Sequence, residues 1–150
     1  IFCRTTEYLS YYGTGAIISP NGYILTSTTV VPPEATNIHV YLCDHRRLDG
    51  TVVASDQSIE STLLKVNGAD LPALPLATAL PSVGERAYSF GNAQNMIIFG
   101  EYASFSVGIV SGVYPVASMD SQSSYSGLAV ETDAAINPGQ DGGPLLLDRL

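Results

Sequence analysis

Short extended runs, each closed by turn-forming residues, constrain the fold of this 150-residue chain more than any other feature. Residues 16–18 and 23–26 flank Ser19-Pro20-Asn21-Gly22, a segment typical of a hairpin turn. Further runs rich in β-branched or aromatic residues lie at 38–42, 51–54, 62–66, 86–90, 104–112 and 128–132. No stretch keeps apolar residues at helical spacing for long enough to predict a helix. The pattern therefore predicts an all-β barrel or sandwich.

A weakly patterned stretch divides the chain near its middle. It is punctuated by Pro72, Pro75, Pro81 and Gly84, and several predicted strands lie on each side of it. The total length is about that of one domain. The sequence therefore predicts two small β units joined by a proline-rich linker.

Composition excludes several classes of protein. Hydrophobic residues make up 45% of the chain and charged residues 13%, a balance that excludes intrinsic disorder. The net charge is −8 and the few cations are scattered, so a nucleic-acid partner is not expected. No apolar stretch approaches the roughly 18 residues that a membrane span needs. Cys3 and Cys43 allow one disulfide, in an oxidising compartment, or two small buried thiols.

Five segments, taken in order, point to one family. Residues 132–144 read TDAAINPGQDGGP and resemble the nucleophile loop of HtrA-type, trypsin-like serine proteases. The other four resemble the family's first hairpin, its aspartate segment and two strands of its second barrel, and lie at 13–26, 60–66, 83–92 and 107–111. The resemblance implies a trypsin-like double antiparallel β-barrel. It assigns residues 1–78 to the first barrel and 79–150 to the second.

All three positions of the family's catalytic triad differ in this chain. Thr29 stands where the family has histidine, Glu60 where it has aspartate, and Asp141 where it has the serine nucleophile. A threonine hydroxyl is not a base near neutral pH, and an ionised carboxylate is a weak nucleophile towards an amide. The Asp141 charge would also lie beside the backbone N–H groups of Gly139 and Asp141, which the resemblance implies as the oxyanion hole. We therefore expect a pseudoprotease.

The expected function is that of an inactive homologue whose scaffold binds a peptide or protein, or regulates an active paralogous protease. One alternative is a hydrolase with relocated chemistry, in which Glu60 and Asp141 act as paired carboxylates or hold a hard cation. Another is a purely structural module of a larger protein. His39 and His45 lie on or just after a different strand and do not supply the missing base. No cofactor or resident metal is expected.

The resemblance also carries expectations about what surrounds this unit. The family's second barrel continues beyond its Gly-Gly-Pro motif with two more strands, so the second barrel is expected to be incomplete within these residues. Either further chain or another molecule would complete it. HtrA-type proteins carry a trimerisation segment before this unit and a PDZ domain after it, which allows a homo-oligomer. The family works in the periplasm or in other exported or organellar compartments.

Overall fold

The computed structural model describes residues 1–5, 9–99, 103–117 and 125–148, and it confirms the all-β fold. Its strands are β1 (Phe2–Arg4), β2 (Ser10–Tyr12), β3 (Ala16–Ser19), β4 (Tyr23–Ser27), β5 (Thr36–Tyr41), β6 (Arg47–Asp56), β7 (Ser61–Val66), β8 (Arg86–Gly91), β9 (Ser104–Ala117), β10 (Ser126–Thr132) and β11 (Leu145–Leu147). A 3-10 segment, Ala93–Phe99, follows β8 and is interrupted by the positive φ angles of Gln94 and Asn95. Each of the eight predicted runs forms a strand, and the three-residue strands β1, β2 and β11 were not predicted.

The first seven strands form one antiparallel sheet in the order β2-β1-β5-β6-β7-β4-β3. Burial alternates along β4 and β7, so every second side chain faces the core, including Ile24 and Leu64. The predicted hairpin joins β3 to β4, and Gly22 has φ 95° in its turn. A Cβ on Gly22 would lie 2.5 Å from the carbonyl oxygen of Val66, so this position requires glycine.

The remaining strands form a second antiparallel sheet in the order β10-β9-β8-β11. Ala87 and Ser89 of β8 are buried on one face. The opposite face of β9 carries Phe105, Val107 and Ile109, whose exposed fractions lie between 44% and 56%. In the part of the chain that the structure describes, β10 and β11 are the free edges of this sheet. The two sheets match the expected double-barrel fold, with the second barrel open.

The predicted linker contains no strand between residues 67 and 85, all of which are described. Its first half is tied to the first sheet, because Leu71 N donates to Pro20 O at 3.1 Å and Leu74 N donates to Ile17 O at 2.8 Å. Its end is tied to the second sheet through Gly84 N and Val110 O, at 2.8 Å. The boundary between residues 78 and 79 stays a prediction. No helix in the described ranges is long and apolar enough to cross a membrane.

The two cysteines do not form a disulfide in this structure. Cys3 is fully buried in the core of the first sheet, and its Sγ donates to the carbonyl oxygen of Val30 at 3.3 Å. Cys43 is an exposed free thiol that follows β5. The disulfide alternative is therefore not supported, since one thiol lies inside the sheet and the other on the surface. The alternative of two buried thiols holds for Cys3 only.

Candidate functional site

The loop 137–143, between β10 and β11, carries Asp141, and hydrogen bonds hold its backbone in one conformation. Four successive carbonyl groups accept hydrogen bonds: Pro138 O from Gln94 N at 2.7 Å, Gly139 O from Thr14 Oγ1 at 2.7 Å, Gln140 O from Gly143 N at 3.0 Å and Asp141 O from Thr14 N at 2.8 Å. Each peptide unit is planar and trans, so a bound carbonyl also fixes the direction of the N–H group in the same plane. The loop is thus fixed from several sides.

The same arrangement leaves two N–H groups without a hydrogen-bond partner among the described residues, one at the buried Gly139 and one at the exposed Asp141. Neither Gly139 N nor Asp141 N donates to any residue that the structure describes, whereas Gln140 N, between them, donates to Asn137 O at 3.0 Å. Each available N–H points away from the bound carbonyl of the residue before it. Two backbone donors placed in this way can bind a ligand oxygen, as an oxyanion hole does.

Glycines and a buried amide hold this loop in place. Gly139 and Gly142 have φ angles of 94° and 75°. A Cβ on Gly139 would lie 2.4 Å from Asn92 O, and one on Gly142 would lie 2.3 Å from Thr26 Oγ1, so neither position accepts a side chain. Beneath them, Gln140 is 5% exposed, and its Oε1 accepts a hydrogen bond from Asn137 N at 2.7 Å.

The structure brings the segments that carry the three triad-like positions next to one another. Thr29 is exposed after β4, and its hydroxyl lies 2.8 Å from that of Ser27. Glu60 precedes β7 with φ 51°, and its carbonyl oxygen accepts a hydrogen bond from Thr28 N at 3.0 Å. Gly13 lies between the segment that carries Thr29 and the loop that carries Asp141. A Cβ on Gly13 would lie 2.4 Å from the side chain of Val30 and 2.9 Å from the carbonyl oxygen of Asp141. The roles of Thr29, Glu60 and Asp141 stay predictions.

A cavity of about 760 Å³ lies between the two sheets beside these segments. Its walls are mostly apolar and come from the linker, from β3 and β4, and from β11. Among the described residues that line it, Glu60 alone is charged, and Gly142 lies on its wall next to the exposed Asp141. The carboxylate of Asp141 forms no hydrogen bond or ion pair with the residues described. The site therefore combines apolar surface, negative charge and two backbone donors.

No imidazole reaches this site. His39 on β5 places Nδ1 2.8 Å from Asp49 Oδ1, and His45 lies exposed in the turn after β5 with φ 66°. Neither histidine lines the cavity, and the sequence contains no other. Within the described ranges, no group of three or more His, Cys, Asp or Glu residues could hold a metal ion.

The sequence patterns did not predict three residues that contact the loop 137–143. Thr14, Gln94 and Ser89 contact residues 138–140 from distant parts of the chain, and the sequence separation between Thr14 and Gly139 is 125 residues. The one signal available for Thr14 was its place between two glycines in a segment already linked to the family's first hairpin. For Gln94, the polar residues that follow β8 carry no local signal of this contact.

Comparisons with known proteins agree with this fold. The family model described as Trypsin-like peptidase domain matches residues 13–149. A relative named "Probable periplasmic serine endoprotease DegP-like" from Chlamydia pneumoniae is 36% identical over 137 residues, which are 89% of this chain and 26% of the relative. A relative of the same name from Pseudomonas savastanoi pv. phaseolicola is 37% identical over 143 residues, 95% of this chain and 27% of the relative. This chain therefore spans about a quarter of the length of these curated relatives.

Solved structures give the same result. The HtrA-type protease AlgW with a tripeptide has a TM-score of 0.79 and 31% sequence identity, over 97% of this chain and 46% of that one. The serine endoprotease from Yersinia pestis has a TM-score of 0.75 and 27% identity, over 95% of this chain and 46% of that one. With a family model over most of its length and relatives above 30% identity, this chain belongs to the trypsin-like peptidase domain family, among the HtrA-type serine proteases.

Proposed function

We propose that this chain is an HtrA-like protease domain without protease activity, whose scaffold binds an extended peptide or protein segment. One observation carries the proposal: the loop 137–143 keeps two backbone donors without a partner among the described residues, and it carries the carboxylate of Asp141, where the family resemblance predicts the nucleophile. The scaffold for holding a peptide carbonyl is thus retained without the group that would attack it.

The chemistry around Asp141 supports the inactive reading. Acyl transfer needs a nucleophile activated by a neighbouring base, and imidazole is the usual base. Both histidines of the chain lie outside the cavity beside the site. The negative charge of Asp141 would also repel the oxyanion that forms when a carbonyl is attacked. Each of these features slows hydrolysis, and none of them prevents a neutral peptide carbonyl from accepting hydrogen bonds.

The relatives support a peptide as ligand and the periplasm as location. Solved HtrA-type structures are described with a tripeptide and with a decapeptide, and the curated relatives are named periplasmic endoproteases. We extend both properties to this chain as part of the proposal. Regulation of an active paralogous protease, and assembly with further copies, are compatible roles for such a binding unit.

The test uses β-casein, an unfolded protein. The wild-type protein should leave β-casein intact on a gel and should bind its fluorescein-labelled form saturably in fluorescence anisotropy. Gly139→Ala should weaken this binding about tenfold, because the new Cβ collides with Asn92 O and displaces one N–H donor. Gly84→Ala is the matched control, since Gly84 also has a positive φ but its Cβ would meet nothing within 4 Å.

Two outcomes would overturn the proposal. Cleavage of β-casein that disappears in Asp141→Ala would show an enzyme and would favour the carboxylate hydrolase instead. Absence of saturable binding would remove the peptide-binding role, and equal binding by wild-type protein and Gly139→Ala would show that the loop 137–143 does not hold the peptide. Proteins used in the assay are first compared by circular dichroism, so that loss of binding is not mistaken for loss of fold.

A further inference from the structure

We infer that Thr14 is a positioning residue of the candidate site: from the first sheet's side, it restrains the backbone that carries the donors of the loop 137–143. The inference deepens the proposed function, because it concerns the same N–H groups of Gly139 and Asp141. The first measurement that tests the inference, the NMR signals of these two amides, nevertheless needs no ligand. Thr14 lies between β2 and β3, far in sequence from the loop that it contacts.

Thr14 uses all of its polar groups in this region. Its hydroxyl donates to Gly139 O at 2.7 Å and accepts from Asn92 N at 2.9 Å. Its backbone N donates to Asp141 O at 2.8 Å, and its carbonyl oxygen accepts from Thr26 Oγ1 at 2.6 Å. One residue thus joins β4, the residue after β8, and the loop 137–143.

The contacts of Thr14 with the loop restrain the peptide planes next to those that carry its donors. Thr14 fixes the carbonyl of Gly139 and the carbonyl of Asp141, so it restrains the peptide planes on both sides of the plane that contains Asp141 N. Gly139, with φ 94° and no side chain, is a residue about which this backbone can rotate easily. A hydrogen bond to its carbonyl is therefore an effective restraint on the loop.

The surroundings of the Thr14 side chain fit a hydroxyl group. A Cβ on Gly91 would lie 2.8 Å from Thr14 Oγ1, so the glycine at this position leaves room for the hydroxyl. A hydroxyl that both donates and accepts cannot be replaced by a side chain of the same shape without those groups. Valine at this position would leave Gly139 O without its donor and Asn92 N without this acceptor.

The experiment compares Thr14→Val with Thr14→Ser by NMR and by β-casein binding. In Thr14→Val we expect the amide signals of Gly139 and Asp141 to shift or broaden, and the β-casein affinity to fall about tenfold. In Thr14→Ser, which keeps the hydroxyl, both should stay near wild type. Thr62→Val is the control for a purely structural effect, because Thr62 is fully buried and its Oγ1 donates to Val31 O at 2.8 Å and to no described residue of the loop.

Thr62→Val should lower stability and leave both the two amide signals and the affinity unchanged. The positioning role is overturned if Thr14→Val leaves the Gly139 and Asp141 signals at their wild-type positions, or if Thr62→Val moves them equally. The two roles can also separate. If the signals move in Thr14→Val but neither wild type nor any variant binds β-casein, the positioning role stands and the binding function is refuted.

A measurement on the wild-type protein covers the case in which Thr14→Val does not fold. Amide hydrogen exchange should be slow at Thr14 and Asn92, whose N–H groups donate within this network, and faster at Gly139 and Asp141. Exchange at Thr14 and Asn92 as fast as at Gly139 would overturn the inference without any substitution.

Discussion

The two sheets are built from strands of similar composition, but they differ in how far their apolar side chains are buried. The principal cluster of buried apolar side chains, among them Ile24, Leu64 and Val66, comes entirely from residues 1–71. In the second sheet Ala87 and Val110 are buried, while apolar side chains such as Phe105, Val107 and Leu128 are about half exposed. All seven strands of the first sheet contribute side chains to its apolar cluster, whereas the four strands of the second sheet bury few large side chains. Burial therefore depends on how many strands surround a face, and not on strand composition alone.

The same difference organises the candidate site. Thr29 follows β4 and Glu60 precedes β7 in the first sheet, whereas Asp141 lies in the loop between β10 and β11 of the second sheet. Thr14, on the side of the first sheet, bonds to that loop at Gly139 O and Asp141 O. The better-packed half thus restrains the backbone of the more exposed half at the point where a ligand would bind.

Matched leucine substitutions measure this difference in packing most directly. Leu64→Ala removes a fully buried side chain and should lower the free energy of unfolding by about 4 kcal/mol, because apolar contacts are lost and a cavity remains. Leu128→Ala, at a side chain that is 48% exposed, should cost less than about 1 kcal/mol. Urea unfolding followed by circular dichroism measures both. Equal losses would contradict the comparison and would mean that the exposed face of the second sheet is covered in solution.

Matched glycine substitutions sharpen the comparison at the backbone. Gly22 and Gly84 have φ angles of 95° and 87°, so alanine is strained at both. The Cβ of Gly22→Ala would also lie 2.5 Å from Val66 O, whereas that of Gly84→Ala meets nothing within 4 Å. We expect Gly22→Ala to cost roughly 2–3 kcal/mol of stability and Gly84→Ala about 1 kcal/mol. Thermal unfolding compares them, and a larger loss in Gly84→Ala would show that the β3–β4 turn rearranges freely.

The sequence predicted the strands whose period is visible and missed those too short to show one. β4 and β7 alternate over five and six residues, whereas β1, β2 and β11 have three residues each and are defined by their partners. In the site, the motif at 132–144 located Gly139 and Asp141. Thr14 and Gln94 were missed because their bonds to the loop depend on how distant segments fold together, and no local pattern records that.

The two cysteines give the smallest of the expected effects. Cys43 is exposed, whereas burial raises the pKa of the Cys3 thiol from 9.0 to about 11. At pH 8 Ellman's reagent should therefore react with one thiol per chain in the folded protein and with two in urea, since the reacting species is an accessible thiolate. Cys43→Ser should show no reaction when folded. Two thiols reacting at one rate, or none before reduction, would contradict the placement of Cys3.

The raised pKa of Cys3 also predicts how stability changes at alkaline pH. A neutral thiol is favoured in the folded state, so its contribution is fully present below pH 9 and is lost as the pH rises towards about 11. Wild-type protein should thus lose more stability between pH 8 and pH 10.5 than Cys3→Ala, whereas Cys43→Ala should follow wild type. All ionisable side chains other than the two thiols are the same in every variant, so the difference between variants isolates the thiol. If stability falls in parallel with pH in wild type and Cys3→Ala, the interior of the first sheet accommodates the thiolate. The contrast between a buried Cys3 and an exposed Cys43 would then be lost.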